Sequence, residues 1–210
     1  MNETLSSIEF RSSAKAADVM DVVDAEGAAA IHNFLPPYLL ERAARVLAAE
    51  QMRTDNNPNN EAVDRHHDLI NYGYAQGQPW PVSTSLGGYA PEPVYKIAQA
   101  IANYITGAPY TSWDPNEITG HLYNPGDYIR RHRDSNRALG YVAVVTLSGS
   151  GQDFYVVNDD DQEVGIALEP GTLTIMRGNQ PESGKRRPPH WVTEAPERRL
   201  AISLRQMRIV

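Results

Sequence analysis

The 210-residue chain contains no cysteine. That absence removes disulfide staples, thiolate metal sites, iron–sulfur clusters and a cysteine nucleophile together, so any metal must be held by His, Asp or Glu. Histidine is itself scarce, with six in the chain. No apolar run approaches the roughly 18 residues of a membrane-spanning helix, and the opening MNETLSSIEF lacks the basic-then-apolar order of a secretory leader. A soluble, cytoplasmic protein is expected. Internal repeats and low-complexity tracts are also lacking, and a 41% share of hydrophobic residues suits one domain, residues 1–210, with a core of its own.

Positive charge is in deficit overall, 19 Lys and Arg against 26 Asp and Glu, but not everywhere. Residues 1–120 hold 7 basic and 15 acidic residues, whereas 121–210 hold 12 and 11. The first half is poorly suited to wrapping a phosphate backbone. The second half gathers Arg130, Arg131, Arg133 and Arg137, then Lys185, Arg186 and Arg187, then Arg198, Arg199, Arg205 and Arg208. A ligand contacted locally by arginine, and therefore anionic or polar, fits that pattern better than a long nucleic acid does.

Periodicity divides the chain near residue 110. In PPYLLERAARVLAAE the apolar residues Leu39, Leu40, Ala43, Val46 and Leu47 fall at helical spacing behind a proline start. PEPVYKIAQAIANYI, 91–105, repeats the pattern with Val94, Ile97, Ala98, Ile101 and Ile105. AAAIHNF before the first helix reads as a short strand or turn, and TDNNPNNEAVDRHHD after it as a polar, mobile loop. Residues 1–110 are thus expected to be a helical support with a substrate lid. From Glu117 the chain becomes short strands: EITGHLY, DYIRRHRD, YVAVVTL, QDFYVV, EVGIAL, TLTIM, HWVTEA and RLAISLRQMRIV. Turn sequences NPG, SGSG, NDDD, EPG and RGNQPESG punctuate them. About eight such strands predict a jelly roll or barrel over 111–210, a mainly β fold with supporting helices.

Within that roll one spacing carries chemistry. In HLYNPGDYIRRHRD, His132 and Asp134 are two apart, so on a strand both project into the same space. Two histidines and one carboxylate on one face leave the other positions of a divalent metal open, the arrangement of non-haem iron(II) oxygenases. His190, which opens HWVTEA 56 residues beyond Asp134, best supplies the second histidine. A rival set exists in His66, Asp68 and His121, but its pair sits in the polar loop and a helix intervenes. On the last strand Arg199, Ala201, Ser203 and Arg205 share a face. An arginine aimed into an apolar roll needs a carboxylate, and a dicarboxylate co-substrate such as 2-oxoglutarate would supply one.

Taken together, LYNPGDYIRRHRD, LEPGTLTIMRG, HWVTE and RLAISLR resemble the iron(II)/2-oxoglutarate dioxygenase superfamily and, within it, the AlkB-like family. The resemblance covers roughly residues 70–210. It implies a double-stranded β-helix, Fe(II) held by His132, Asp134 and His190 as the catalytic centre, and 2-oxoglutarate and O2 as co-substrates. Contacts to 2-oxoglutarate carry over to Arg199, Tyr123 and Arg205. The implied reaction is hydroxylation of a C–H bond, which on an N-methylated nucleobase ends in demethylation. The segment INYGYAQGQPWP, with Tyr72, Tyr74 and Trp80, resembles the family's lid, where aromatic rings can stack a base. Substrate contacts are expected from these three together with Asn136 and Arg131, which flank the metal motif. The chain departs from the family pattern at His121 and Ala201, where asparagine is frequent, and at Asn136, where DNA-repair members carry an acid. Those departures keep open the same chemistry on a small metabolite or peptide side chain. A non-catalytic jelly-roll binding module is the reading from another class.

Overall fold

The computed structural model describes residues 8–54, 65–73, 90–108, 113–180, 184–185 and 187–208. In chain order the elements are β1 (Glu9–Arg11), α1 (Ala16–Glu26), β2 (Ala28–His32), α2 (Pro37–Ala48), β3 (Arg53–Thr54), β4 (Arg65–His66), β5 (Asp68–Gly73) and α3 (Glu92–Thr106). Then come β6 (Glu117–Tyr123), β7 (Tyr128–His132), β8 (Ala138–Ser148), β9 (Asp153–Val157), β10 (Glu163–Ala167), β11 (Leu173–Arg177), β12 (His190–Val192) and β13 (Arg199–Met207). The strands form two sheets, β1-β2-β11-β8-β13-β6-β5-β3 and β10-β9-β12-β7-β4, in the jelly-roll arrangement.

Each face of the large sheet is filled for a different purpose. Alternation sends Ile31, Ile118, Val145, Ile175, Ile202 and Leu204 to one side, where they meet Val19 and Val23 of α1, Leu40 and Leu47 of α2, and Val94, Ile97, Ile101 and Ile105 of α3. The opposite side faces the small sheet. There Ala28, Ala30, Val142 and Met176 pack against Phe154, Val156, Ile166 and Val192, closing one end of the space between the sheets. The candidate site lies in the same space, where Phe154, Met176 and Val192 meet polar and charged groups.

The described helices all fall before residue 110, as expected, but the strands do not keep to that division. Strands β1, β2, β3 and β5 belong to the large sheet and β4 to the small one, so the N-terminal part builds both layers as well as supporting them. Part of the expected polar loop, 55–64, lies outside the described residues, but its end is strand, and His67 between β4 and β5 is only 1% exposed. The expected helices appear as α2 and α3. A third, α1, was not foreseen; it ends where Gly27 takes φ 91°, a left-handed cap that glycine adopts without strain. No helix among the described residues is long and apolar enough to cross a membrane.

Candidate active site

Two strand ends bring the metal-ligand types together. His132 closes β7, His190 opens β12, and the two are direct partners in the antiparallel ladder, their rings 4.3 Å apart. Asp134 lies two residues past His132 and sends one carboxylate oxygen to each histidine, Oδ1 3.9 Å from His132 Nε2 and Oδ2 4.0 Å from His190 Nε2. One potential ligand atom from each residue falls within 4.8 Å of the other two, and among the described residues this is the one such group.

The histidines are also fixed in tautomer. His132 Nδ1 lies 2.8 Å from the Arg130 carbonyl and His190 Nδ1 3.1 Å from the Pro188 carbonyl. A carbonyl can only accept, so each Nδ1 carries the proton and donates it, leaving Nε2 with a lone pair directed at the common centre. Burial alone would raise the Asp134 carboxyl, but His190, Arg205, His132 and Arg187, the histidines in their protonated form, outweigh it and hold the group below the ordinary carboxylate value. A charged carboxylate and two Nε2 lone pairs form a donor set that suits a hard or borderline divalent ion.

The register between β7 and β12 shifts beside this centre. His190 pairs with His132 and Val192 with Ile129, so three steps on β7 match two on β12 and the extra residue forms a bulge at Arg130–Arg131. Ile129 and His132 therefore both line the pocket, while Arg130 and Arg131 are exposed.

Arg199 stands at another wall of the pocket, buried to 2% exposure. Its Nη1 donates to Gln152 Oε1 at 2.9 Å and its Nη2 to Thr146 Oγ1 at 3.1 Å, and the guanidinium lies 5.0 Å from the centre of the Tyr123 ring. Gln152 is oriented for this by donating its amide to the Thr193 and Asp127 carbonyls. Among the described residues no carboxylate reaches Arg199, and its Nε is buried without a partner. Burial lowers the Arg199 pKa, with Tyr123 opposing the shift. A buried cation with one donor unused and no counter-ion fits the carboxylate of a ligand. Arg205, farther along β13, differs: it donates to Ser203 Oγ at 2.7 Å and has Glu117 Oε1 at 3.6 Å.

The chain matches no family model and no curated protein. Solved structures do match it. A prolyl-4-hydroxylase from Pseudomonas putida is 20% identical with TM-score 0.67, covering 93% of this chain and all of its own. A 2OG-Fe(II) oxygenase family oxidoreductase from Burkholderia pseudomallei is 14% identical with TM-score 0.68, covering 98% and 97%. A prolyl hydroxylase from Trichoplax adhaerens, solved with a hypoxia inducible factor peptide, is 15% identical with TM-score 0.68, covering 90% and 87%. The chain shares the fold of these three proteins.

Within this fold, His132, Asp134, His190, Tyr123, Arg199 and Arg205 all line one cavity of about 650 Å³, part of it open to solvent. Of the expected substrate contacts, the three among the described residues do not gather there. Tyr72 pairs with Ile118, so the strand's alternation turns it to the helical side, where it is 1% exposed in the core with Val94 and Ile97. Arg131 points outward from the bulge to Glu163 at 3.4 Å and over the Trp191 ring. Asn136 is exposed in the turn after Asp134, outside the cavity wall. Tyr74 and Trp80 lie outside the described residues, as does the side chain of His66. Of the rival ligand set, His121 does face the cavity, but as a hydrogen-bond partner of His67 and Ser203. Three site residues were missed by sequence reasoning: Gln152 at the head of QDFYVV, Thr146 in YVAVVTL, and His67, hidden inside an apparent loop.

Proposed function

We propose that the protein is an Fe(II)/2-oxoglutarate-dependent dioxygenase that hydroxylates a C–H bond of its substrate. The observation that carries this reading is one cavity with a tautomer-fixed His132–Asp134–His190 cluster and, on another wall, a buried Arg199 that has no counter-ion among the described residues. Fe(II) with 2-oxoglutarate and O2 supplies the oxidising power for hydroxylation, with succinate and CO2 as co-products. His132, Asp134 and His190 hold the ion. Arg199 receives the distal carboxylate of the co-substrate, with Tyr123 beneath the guanidinium, and Arg205 is a second, solvent-nearer contact. Phe154, Leu168, Met176 and Val192 keep the cavity wall apolar, which limits water around the reacting carbon and strengthens each charge contact.

The finer reading is AlkB-like oxidative demethylation of an N-methylated base, supported by the ordered set Tyr123, Gly126, His132, Asp134, His190, Arg199 and Arg205. A second reading, hydroxylation of a peptide side chain or small metabolite, is favoured by the prolyl hydroxylase neighbours and by the absence of Tyr72, Arg131 and Asn136 from the cavity wall. Formaldehyde release separates them, because only the hydroxylated N-methyl group collapses with loss of that carbon. The chemistry common to both is tested by anaerobic titration with Fe(II) and then 2-oxoglutarate, looking for the visible charge-transfer band of the chelate, followed by succinate measurement after admitting O2. A band and succinate are expected. Stoichiometric Fe(II) binding with neither would leave a binding module.

A further inference from the structure

One wall of the cavity is a chain of side chains that the ligand set does not use. Arg205 Nη1 donates to Ser203 Oγ at 2.7 Å, Ser203 Oγ lies 2.9 Å from His121 Nε2, and His121 Nδ1 lies 3.1 Å from His67 Nε2. The His67 ring is then stacked on Tyr123, centres 4.8 Å apart and planes within 10°, and Tyr123 in turn lies under Arg199 at 5.0 Å. The sheet register explains the order. Tyr123 pairs with Arg199, His121 with Ala201 and Thr119 with Ser203, so neighbouring rows of β6 and β13 present ring, ring and hydroxyl along one face. His67 enters this row from the link between β4 and β5, so a residue 56 positions before Tyr123 stacks on its ring while Arg199 contacts the same phenol.

The hydrogen-bonded pair has a simple proton constraint. Only one proton fits between His67 Nε2 and His121 Nδ1, so the two imidazoles together bear at most one positive charge while this bond lasts. A neutral, flat imidazole beneath a phenol packs as an aromatic partner, and His121 and Ser203 set its angle. Tyr123 thus contacts both the His67 ring and the Arg199 guanidinium. Without His67, the phenol loses the surface that keeps it against that guanidinium, although no group that touches a metal has changed.

We propose that His67 is a positioning residue for a dicarboxylate co-substrate, holding Tyr123 against Arg199 through its ring stack and its bond to His121. This rests on the reading of Arg199 as the carboxylate contact. The test compares His67→Ala, His67→Leu and His67→Phe with wild type and Arg199→Ala. Fe(II) affinity is measured alone, and 2-oxoglutarate affinity from the anaerobic charge-transfer band. His67→Ala and His67→Leu are expected to weaken 2-oxoglutarate binding roughly tenfold, the order of one lost aromatic and cation–π contact, with Fe(II) affinity unchanged. His67→Phe restores a flat ring and is expected to return binding to within about threefold of wild type. In turnover, KM for 2-oxoglutarate should rise in the Ala and Leu variants while kcat at saturation holds. Wild-type binding in His67→Leu, or equal weakness in Phe and Leu, overturns the proposal, and the Leu–Phe comparison stands even if the Ala variant does not fold. Wild-type binding in Arg199→Ala would instead overturn the underlying site reading.

Discussion

Replacing Arg199 separates what the residue does for the fold from what it does for a ligand. Its two Nη groups donate to the neutral oxygens of Gln152 and Thr146, its Nε has no partner, and no carboxylate among the described residues compensates its charge. In the free protein the two hydrogen bonds offset part of a desolvation penalty of several kcal/mol. Arg199→Met removes both the bonds and the penalty, so the unfolding free energy is expected to change by less than about 2 kcal/mol. Co-substrate binding should respond differently. Truncating one side of a buried charge-assisted pair costs about 2–5 kcal/mol, a rise in dissociation constant of roughly 30- to 5,000-fold. Arg199→Lys should recover part of that loss, because a point charge cannot copy the planar fork. The assays are urea unfolding of the metal-free protein and anaerobic titration of the Fe(II) form with 2-oxoglutarate. Arg198 is exposed on the preceding residue and serves as control. If Arg198→Ala cripples binding and Arg199→Met does not, the assignment of the inward face of β13 is wrong. A stability loss in Arg199→Met as large as the binding loss would make the residue structural.

Fe(II) binding, followed by equilibrium dialysis, should be lost in His132→Ala, Asp134→Ala and His190→Ala and kept in His66→Ala; a silent His190→Ala would sink the ligand assignment. Gly149 has φ +80°, and a Cβ there would sit 2.6 Å from the Arg198 carbonyl and 2.7 Å from Arg199 Cα. Gly149→Ala should therefore cost more than about 1 kcal/mol of stability and weaken 2-oxoglutarate binding by displacing the start of β13; normal affinity would show that β13 tolerates the shift. Tyr104 and Tyr141 are each pushed up to about 12, by burial first and then by Asp18 and Asp24 respectively. Since the fold favours the neutral phenols, their contribution is complete below the ordinary tyrosine pKa of about 10 and is lost as pH rises through 12. Absorbance titration at alkaline pH should show them ionising late, and ionisation with the exposed tyrosines would contradict their burial.

What could be read from the sequence was what repeats locally. Alternation gives β6 its limits at Glu117 and Tyr123 and puts Arg199, Ser203 and Arg205 on one face, and the i, i+2 spacing brings His132 beside Asp134. Contacts between distant segments were not legible. Gln152 reaches Arg199 across 47 residues, and only the folded loop shows that its amide is turned by two backbone carbonyls. Tyr72 was assigned to a lid because INYGYAQ resembles one, yet pairing of β5 with β6 decides its side, and a one-residue register choice reverses it. Arg131 failed for another reason: standing next to His132 in sequence does not set its side, and it turns outward to Glu163.

The bulge at Arg130–Arg131 bears on how the strand could tolerate a change in length. Between Ile129 and His132 the strand carries two residues where β12 carries one, and the Arg130 carbonyl is the acceptor for His132 Nδ1–H. Deleting Arg130 would restore regular pairing and still leave Ile129 and His132 on the inner face, so a shortened chain could fold with every ligand side chain in place. It would, however, lose the carbonyl that fixes where the imidazole proton resides. The additional residue thus separates two requirements that a regular strand would merge: where the histidine points, and which of its nitrogens is left bare.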